Sequence, residues 1–177
     1  MSTTTEKAWT YVETFRTLAQ SNPGPIEDSI AFDFGKHDLH CVLTSVVHGN
    51  EVGSLPGICQ LVEDIQTGKI SFGGRLSILL GNVAACKEGK RFLESDLNRA
   101  FSDTPPDTAE GRRATQMKSI LHSANLHVDF HQTILASDKP FWIFPYHQAG
   151  LQWAQYMDVA TDLVTRSPNK VFSADGR

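Results

Sequence analysis

Apolar positions along the chain follow helical and strand periods in alternation. A helical period covers residues 5–20 and ends at the helix-breaking segment 22–25, Asn-Pro-Gly-Pro. Two apolar runs follow at 30–34 and 39–47, and the polar segment 35–38 between them has the composition of a hairpin turn. The beginning of the chain is therefore predicted to be a helix followed by a β-hairpin.

The remaining apolar runs continue this alternation. They predict strands at 76–80, 125–130 and 141–146 and helices at 54–66, 108–122 and 151–164. Asp107 is predicted to cap the helix at 108–122, with Glu110 three residues further on as in a capping box. Helices that alternate with strands indicate an α/β fold with a mixed central sheet flanked by helices.

Three side chains suited to binding a metal ion lie in two short segments. His48 and Glu51 are three residues apart, and His131 follows Glu51 by 80 residues. Two imidazoles and one carboxylate form a donor set of hydrolytic zinc sites, in which a fourth position stays open for water. The pattern predicts a zinc hydrolase with one Zn²⁺ per chain.

The spacing places these side chains after strands rather than on one helix. The helical zinc motif HExxH has its two histidines four residues apart, whereas His48 and Glu51 follow the apolar run 39–47. His131 comes after the predicted strand at 125–130. Open α/β sheets bind ligands at the carboxyl ends of their strands, so the site is expected at a carboxyl edge of the sheet.

A third motif lies between the two ligand segments. Residues 81–92 are Gly-Asn-Val-Ala-Ala-Cys-Lys-Glu-Gly-Lys-Arg-Phe, and residues 96–101 are Asp-Leu-Asn-Arg-Ala-Phe. Together with His-Gly-Asn-Glu at 48–51 and Asp-Phe-His-Gln-Thr at 129–133, they closely resemble the succinylglutamate desuccinylase/aspartoacylase family. The resemblance covers roughly residues 38–146. It implies a fold similar to that of the zinc carboxypeptidases and makes the three candidate ligands the zinc ligands.

The resemblance also implies roles for residues around the metal. Arg91 matches the cation that polarises the scissile carbonyl and steadies the oxyanion, and Asn98 and Arg99 match the pair that holds a substrate carboxylate. These roles agree with the chemistry, because a guanidinium is a planar fork that binds carboxylates in a bidentate manner. A desolvated cation near a developing oxyanion also stabilises the transition state.

Two aspartates are candidate partners of the ligand histidines. Asp96 matches an acid beside the family's first histidine ligand, and such a carboxylate fixes the tautomer of its imidazole. Asp129 is left open between capping a strand end and supporting a ligand. His127, Asp129 and His131 share one strand face, so the residues alone leave His127 an equal candidate ligand, and only the family motif selects His131.

One part of the family pattern is missing. The family's glutamate that takes a proton from the attacking water lies well downstream of the last histidine ligand, but residues 132–177 contain no glutamate. We expect residues 1–177 to form a single catalytic domain that is incomplete at its C-terminus, with the base beyond residue 177. A shortened homologue is the alternative.

Composition and charge restrict the partners. A chain of 177 residues suffices for one domain with a buried core. A formal net charge of -4 without a basic stripe argues against nucleic acid as a partner. The cations between residues 87 and 99 favour a small anionic substrate. Association into a homo-oligomer is left open.

Cysteine usage and hydropathy bear on the compartment. Cys41, Cys59 and Cys86 form no CxxC motif and are odd in number, which argues against a disulfide framework and favours a reducing compartment. Cys41 and Cys59 are predicted to be core thiols. The chain opens on the polar segment 1–7 and has no apolar run near the ~20 residues of a membrane span. A cytoplasmic protein with no membrane partner is expected.

These features predict a zinc-dependent amidohydrolase that removes the acyl group from an N-acyl amino acid or a similar small amide bearing a carboxylate. Two alternatives stay open. A carboxypeptidase-like metallopeptidase is one, because Asn98 and Arg99 could hold the C-terminal carboxylate of a peptide equally well. A zinc-binding module without catalysis is the other, because the general base is missing.

Overall fold

The computed structural model describes residues 4–133, 141–145, 148–156 and 162–166, which form two compact units. The unit before residue 133 contains α1 (Thr4–Ala19), β1 (Ser29–Asp33), β2 (His40–Ser45), α2 (Leu55–Gln66), β3 (Arg75–Leu80), α3 (Val83–Lys87), a 3-10 helix (Leu97–Arg99), α4 (Ala109–Leu121) and β4 (Leu126–Asp129). The unit from residue 133 onward contains β5 (Phe141–Pro145), α5 (Gln148–Gln155) and β6 (Asp162–Arg166).

A four-stranded mixed sheet with the strand order β1-β3-β2-β4 forms the centre of the first unit. β2 pairs in parallel with both β3 and β4, and β1 pairs antiparallel with β3. The predicted α/β class with a mixed central sheet is confirmed. Because β2 and β4 are parallel neighbours, their carboxyl ends meet at the same edge of the sheet.

The predicted hairpin between the first two strands is wrong. β3 lies between β1 and β2, and the backbone N–H groups of Phe34 and His37 donate to the turn at 73–74 that precedes β3. Every residue of β3 from Leu76 to Leu80 is buried. A strand that is apolar on both faces is stable at the centre of a sheet, where both faces are covered.

Helices cover both faces of this sheet. α1 and α2 pack together on one face, and α1 confirms the helix predicted at 5–20. Their shared core with the sheet includes Val12, Phe15, Val62 and Ile78. The core of the opposite face includes Val42 of β2, Leu97 of the 3-10 helix and Met117 of α4. The sheet is therefore held between two helical layers, and the carboxyl edge between them is left for the site.

The start of α4 differs from the prediction. Its N-cap is Thr108 rather than Asp107, because the Thr108 hydroxyl accepts the backbone N–H of Gly111 at 3.1 Å. The Asp107 side chain is fully exposed. Glu110 does not complete a capping box, since its carboxylate binds the loop that precedes the 3-10 helix. Thr and Asp are both good N-caps, so composition alone could not choose between neighbouring positions.

The second unit corrects one predicted element. β5 confirms a strand at 141–145, whereas Tyr146 lies outside the described residues. The helix predicted at 151–164 is wrong at its C-terminal end, because α5 covers Gln148–Gln155 and residues 162–166 form β6 in parallel with β5. Val164 and Thr165 are β-branched and favour a strand when a neighbouring strand is available for pairing.

Two features bear on the expectations about compartment. Cys41, Cys59 and Cys86 are free and buried, and burial raises the pKa of the Cys41 and Cys59 thiols to about 11. Both are core thiols as predicted. Among the helices of the described ranges, none has the length and apolar character needed to cross a bilayer.

Candidate metal centre

The candidate metal centre lies at the carboxyl ends of β2 and β4. His48 comes three positions after the last residue of β2, and His131 comes two positions after the last residue of β4. In the parallel register of these strands, Thr44 is paired with Asp129. The two chain segments therefore leave the sheet side by side, at the edge where the sequence predicted the site.

The donor atoms of His48, Glu51 and His131 converge. Glu51 Oε1 lies 2.9 Å from His48 Nδ1, and Glu51 Oε2 lies 2.9 Å from His131 Nδ1. The two Nδ1 atoms are 3.2 Å apart. His48 and Glu51 are buried, whereas His131 is exposed. Within the described residues, these side chains form a group that could hold a metal ion.

The donor set fits a zinc ion. In a tetrahedral site with Zn–N distances of about 2.0–2.1 Å, two nitrogen ligands lie about 3.3 Å apart. The separation of 3.2 Å between the Nδ1 atoms is close to that value. Two imidazole nitrogens also distinguish the cluster from calcium and magnesium sites, which use oxygen ligands. Three protein ligands would leave a fourth position open, as in catalytic zinc sites.

A carboxylate lies behind each imidazole. His48 Nε2 is 3.1 Å from Asp96 Oδ1, and His131 Nε2 is 2.8 Å from Asp129 Oδ2. If each Nε2 donates its proton to its aspartate, each Nδ1 presents a lone pair to the cluster. The two aspartates thus favour the tautomer in which both histidines can bind a metal through Nδ1.

The hydrogen bonds within the cluster shift the pKa values of His131 and Glu51 in opposite directions. Burial lowers the pKa of His131, but hydrogen bonds with Asp129 and Glu51 raise it by more than burial lowers it. The resulting pKa is about 10. Burial raises the pKa of Glu51, while hydrogen bonds with the two histidines lower it to well below its ordinary value. A metal ion bound at the cluster would take the place of the proton between His131 Nδ1 and Glu51.

The backbone before the first ligand adopts an uncommon conformation. Val46 has a φ of +58°, a region that β-branched residues rarely adopt. Gly49 donates its N–H to the carbonyl of Arg91 at 2.9 Å. A Cβ on Gly49 would lie 2.6 Å from the carbonyl oxygen of Lys90. The close approach of the segment 81–92 therefore requires glycine at position 49.

Arg91 reaches the cluster from the segment 81–92. Its Nη1 donates to Glu51 Oε1 at 2.7 Å, and its Nη2 lies 2.9 Å from His48 Nε2. The Arg91 side chain is 42% exposed, so the guanidinium lies between the cluster and solvent. When His48 binds a metal through Nδ1, its Nε2 must carry the proton and donate to Asp96, which leaves Glu51 as the partner of Arg91.

Asn98 and Arg99 are tied to the cluster through Asp96. Asp96 caps the 3-10 helix, because its Oδ1 accepts the N–H of Asn98 at 2.9 Å. The same oxygen lies 3.1 Å from His48 Nε2. Asn98 is buried, and Arg99 is exposed with its Nη1 3.2 Å from the Asn98 carbonyl. Asp96 therefore links both candidate substrate-binding residues to His48.

The sequence did not assign a role to Thr44, which lies behind His131. Its hydroxyl donates to Asp129 Oδ1 at 2.6 Å and lies 2.9 Å from His127 Nε2. His127 therefore contacts Thr44 rather than the cluster of donor atoms. Of the two candidate histidines, His131 is the one whose ring lies beside His48 and Glu51. A completely buried hydroxyl within an apolar strand was the available signal, but its partners are more than 80 residues away in the chain.

Gln132 joins the two ligand segments. Its backbone N–H donates to Glu51 Oε2 at 2.9 Å, and its side-chain oxygen accepts the N–H of Gly53 at 2.9 Å. In the structure its amide group bonds the turn that carries Glu51, so Gln132 helps to fix the distance between Glu51 and His131.

Comparison with known proteins gives close matches by sequence. The family model for the succinylglutamate desuccinylase/aspartoacylase catalytic domain matches residues 38–175. Succinylglutamate desuccinylase of Yersinia pseudotuberculosis serotype O:3 (strain YPIII) is 35% identical over 129 residues. That match covers 65% of this chain and 38% of the relative. The chain therefore matches well under half the length of this relative.

Solved structures share the fold. Succinylglutamate desuccinylase from Chromobacterium violaceum has a TM-score of 0.74 at 19% identity, and the match covers 92% of this chain and 63% of that one. Murine aminoacylase 3 has a TM-score of 0.57 at 24% identity, with 78% and 52% covered. At these identities the likeness concerns the fold, and it confirms the zinc carboxypeptidase-like α/β architecture that the motifs implied.

Proposed function

The chain belongs to the succinylglutamate desuccinylase/aspartoacylase family, and from this premise we propose that it provides the metal centre of a zinc-dependent deacylase. The substrate would be an N-acyl amino acid or a similar small amide that bears a carboxylate. The observation that carries the proposal is the convergence of two imidazole nitrogens and the Glu51 carboxylate at the carboxyl edge of the sheet.

One zinc ion per chain would be held by His48, Glu51 and His131. When bound, it supplies Lewis acidity and lowers the pKa of water, which makes a nucleophile available near neutral pH. The protein keeps both imidazoles oriented with Nδ1 toward the cluster. Asp96 and Asp129 perform this task by accepting the Nε2 protons.

Arg91 would stabilise the negative charge that develops on the amide carbonyl oxygen. It is the side chain that donates to Glu51 from the solvent side of the cluster. When His48 Nε2 carries a proton, it can no longer accept from Arg91 Nη2, and Nη2 would be available to the substrate. A preorganised donor at a developing oxyanion contributes about 3–4 kcal/mol to transition-state stabilisation.

Asn98 and Arg99 would bind the substrate carboxylate. The guanidinium of Arg99 offers parallel N–H groups for a bidentate contact, and the amide of Asn98 adds a neutral donor. Asp96 fixes the first turn of their helix relative to His48. The distance between the cleaved bond and the bound carboxylate would therefore be set largely by the backbone from Asp96 to Arg99.

Proton removal from the attacking water is assigned to none of the residues named above. The family pattern has a glutamate downstream of the last histidine ligand, and residues 132–177 contain none. The proposed roles of the described side chains cover metal binding, oxyanion stabilisation and carboxylate binding. Turnover by these residues alone would require water or another carboxylate to act as the base.

The test is amine release from N-succinylglutamate, N-acetylaspartate and a short peptide by the zinc-loaded protein. His131→Ala removes one ligand, and His37→Ala is the matched control because His37 is exposed and lies outside the cluster. We expect one zinc per chain in the parent protein and in His37→Ala, with zinc-dependent release from an acyl amino acid. Loss of both properties in His131→Ala supports the proposal.

A second candidate is a zinc-binding module without catalysis, which would share the donor set of His48, Glu51 and His131. Stoichiometric zinc that depends on His131 but gives no amine release would support it over the deacylase. Release from the peptide in preference to both acyl amino acids would point to a metallopeptidase. Failure to bind zinc at the level of one ion per chain would contradict all three functions.

A further inference from the structure

Glu110 is a buried carboxylate that the proposed reaction does not use. It lies in the first turn of α4 and is 2% exposed. Its Oε1 accepts the backbone N–H of Leu93 at 2.7 Å and the side-chain amide of Asn82 at 3.0 Å. Its Oε2 accepts the backbone N–H groups of Glu94 and Ser95, both at 3.3 Å. A buried charge is stable only with such compensation.

The protonation state of Glu110 agrees with this arrangement. Burial raises the pKa of Glu110, but the hydrogen bonds from the Leu93 N–H and the Asn82 amide lower it by more than burial raises it. The pKa therefore lies below its ordinary value. The side chain is therefore a carboxylate at neutral pH. A carboxylate only accepts hydrogen bonds, which matches a ring of donors made of three successive backbone N–H groups and one amide.

The residues bound by Glu110 connect two site residues. Arg91 precedes Leu93 by two positions, and Asp96 directly follows Ser95. Arg91 donates to Glu51 at 2.7 Å, and Asp96 lies 3.1 Å from His48 Nε2. Because Arg91 and Asp96 lie within two residues of the segment 93–95, a shift of the backbone there would change the position of both side chains.

The same carboxylate also fixes the start of the segment 81–92. Asn82 donates to Glu110 through Nδ2, and its Oδ1 accepts the N–H of Ala85 as the N-cap of α3. One side chain on α4 therefore holds both ends of the segment that carries Arg91.

We propose that Glu110 is a positioning residue that clamps the backbone of residues 93–95 and thereby holds Arg91 and Asp96 against Glu51 and His48. The clamp consists of hydrogen bonds within the chain itself. Its consequence for turnover rests on the proposed function, whereas its consequences for the loop and for metal affinity do not depend on any substrate.

The experiment compares Glu110→Gln with the parent protein by amide hydrogen exchange at residues 93–95 without metal. Glutamine has nearly the same shape, but its NH₂ group cannot accept the N–H groups that a carboxylate oxygen accepts. Exchange at these amides should accelerate about tenfold or more, since hydrogen bonds to charged acceptors are the stronger kind. Zinc affinity, measured by chelator competition, should fall about tenfold as His48 loses its fixed partner.

Leu121→Ala is the matched control for a general loss of stability. Leu121 is completely buried in the same helix but lies eleven residues, or about 16 Å, from Glu110. This variant should destabilise the fold without selective acceleration at residues 93–95. Glu110→Asp is the second variant, because it keeps the charge but is one methylene too short to reach every donor; it should accelerate exchange at a subset of the three amides.

The outcomes separate the clamp from the proposed function. Selective acceleration at 93–95 with weaker zinc binding supports the clamp even if no substrate is turned over. The proposal is overturned if these amides exchange freely in the parent protein, if Glu110→Gln and Glu110→Asp leave them unchanged, or if Leu121→Ala accelerates them equally. When turnover is present, Glu110→Gln should lower kcat more than it raises KM, because Arg91 acts in the transition state.

Discussion

The hydroxyl of Thr44 has a single proton, and the structure shows where that proton must go. Asp129 can only accept, so Thr44 donates to it, and His127 Nε2 must then donate to Thr44. The second oxygen of Asp129 receives His131 Nε2. A neutral hydroxyl in the sheet thus helps to set which nitrogen of His131 is available to a metal.

Thr44→Val tests this arrangement. Valine keeps the shape of threonine but leaves Asp129 and His127 short of one partner in a buried site, so the free energy of unfolding of the metal-free protein should fall by about 1–3 kcal/mol. Thr44→Ser keeps the hydroxyl and should retain most of the hydrogen-bonding contribution. Urea unfolding measures both variants, and equal stability of Thr44→Val and the parent protein would contradict the assignment.

Gly49→Ala tests the close approach beside the first ligand. A Cβ there would lie 2.6 Å from the Lys90 carbonyl oxygen, so the backbone must shift and the free energy of unfolding should fall by about 1–3 kcal/mol. Gly57→Ala is the control, because its Cβ would meet nothing within 4 Å in the exposed part of α2. That variant should gain about 0.5–1 kcal/mol from helix propensity. Denaturant unfolding measures both variants. Equal shifts of the unfolding midpoint in Gly49→Ala and Gly57→Ala would contradict the close approach at position 49.

At the scale of single residues, the sequence revealed the side chains that carry their own chemical signature. His48, Glu51 and His131 could be chosen because zinc donors are few in kind and the family motif fixes which histidine to take. Thr44 and Glu110 could not be chosen in this way. Their roles depend on partners in other elements, and a buried hydroxyl or carboxylate has no local pattern that identifies its partner.

At the scale of elements, the apolar periods located strands but not their neighbours. β1 and β2 are adjacent in sequence and were expected to pair, yet both pair with β3. The continuous apolar character of β3 was visible in the sequence and is the physical reason for its central place. Which strands become neighbours depends on contacts between segments that are distant in the chain. A local pattern of apolar residues does not reveal those contacts.

The N-cap of α4 gives a prediction at this scale. Thr108→Ala removes the hydroxyl that accepts the Gly111 N–H and that lies 2.8 Å from Ser95 Oγ. The free energy of unfolding should fall by about 1 kcal/mol or somewhat more. Asp107→Ala should change it by less than about 0.5 kcal/mol, since that side chain is fully exposed. Thermal unfolding of the two variants side by side decides between the two caps, and a larger loss in Asp107→Ala would restore the sequence-based choice.

For the whole molecule, the fold class followed from the alternation of helices and strands together with the motif order. The details that failed lie where tertiary pairing overrides local preference. The clearest case is residues 162–164, which were predicted to end a helix but belong to a strand that pairs with β5. The assignment of residues 1–177 to a single domain stays a prediction, and the described residues divide into two compact units.

Metal binding should stabilise the protein as a whole. Zinc at 100-fold above its dissociation constant adds about 2.7 kcal/mol to the free energy of unfolding if the unfolded chain binds none. The melting temperature should therefore rise with zinc and return to its starting value with a chelator. His131→Ala should show little of this rise, whereas His37→Ala should behave like the parent protein. A zinc response that survives in His131→Ala would place the ion elsewhere.

The pairing of β2 with β4 gives the metal centre a further property during folding. Thr44 is paired with Asp129, and a slip of one residue would displace His131 by about 3.3 Å and turn alternate side chains to the other face. Only the native pairing then offers all three donors at once, so zinc would bind that alignment in preference to its competitors. Refolding with zinc present from the start should yield more native protein than refolding with zinc added afterwards. The ion would then select the native alignment of β2 and β4 during folding.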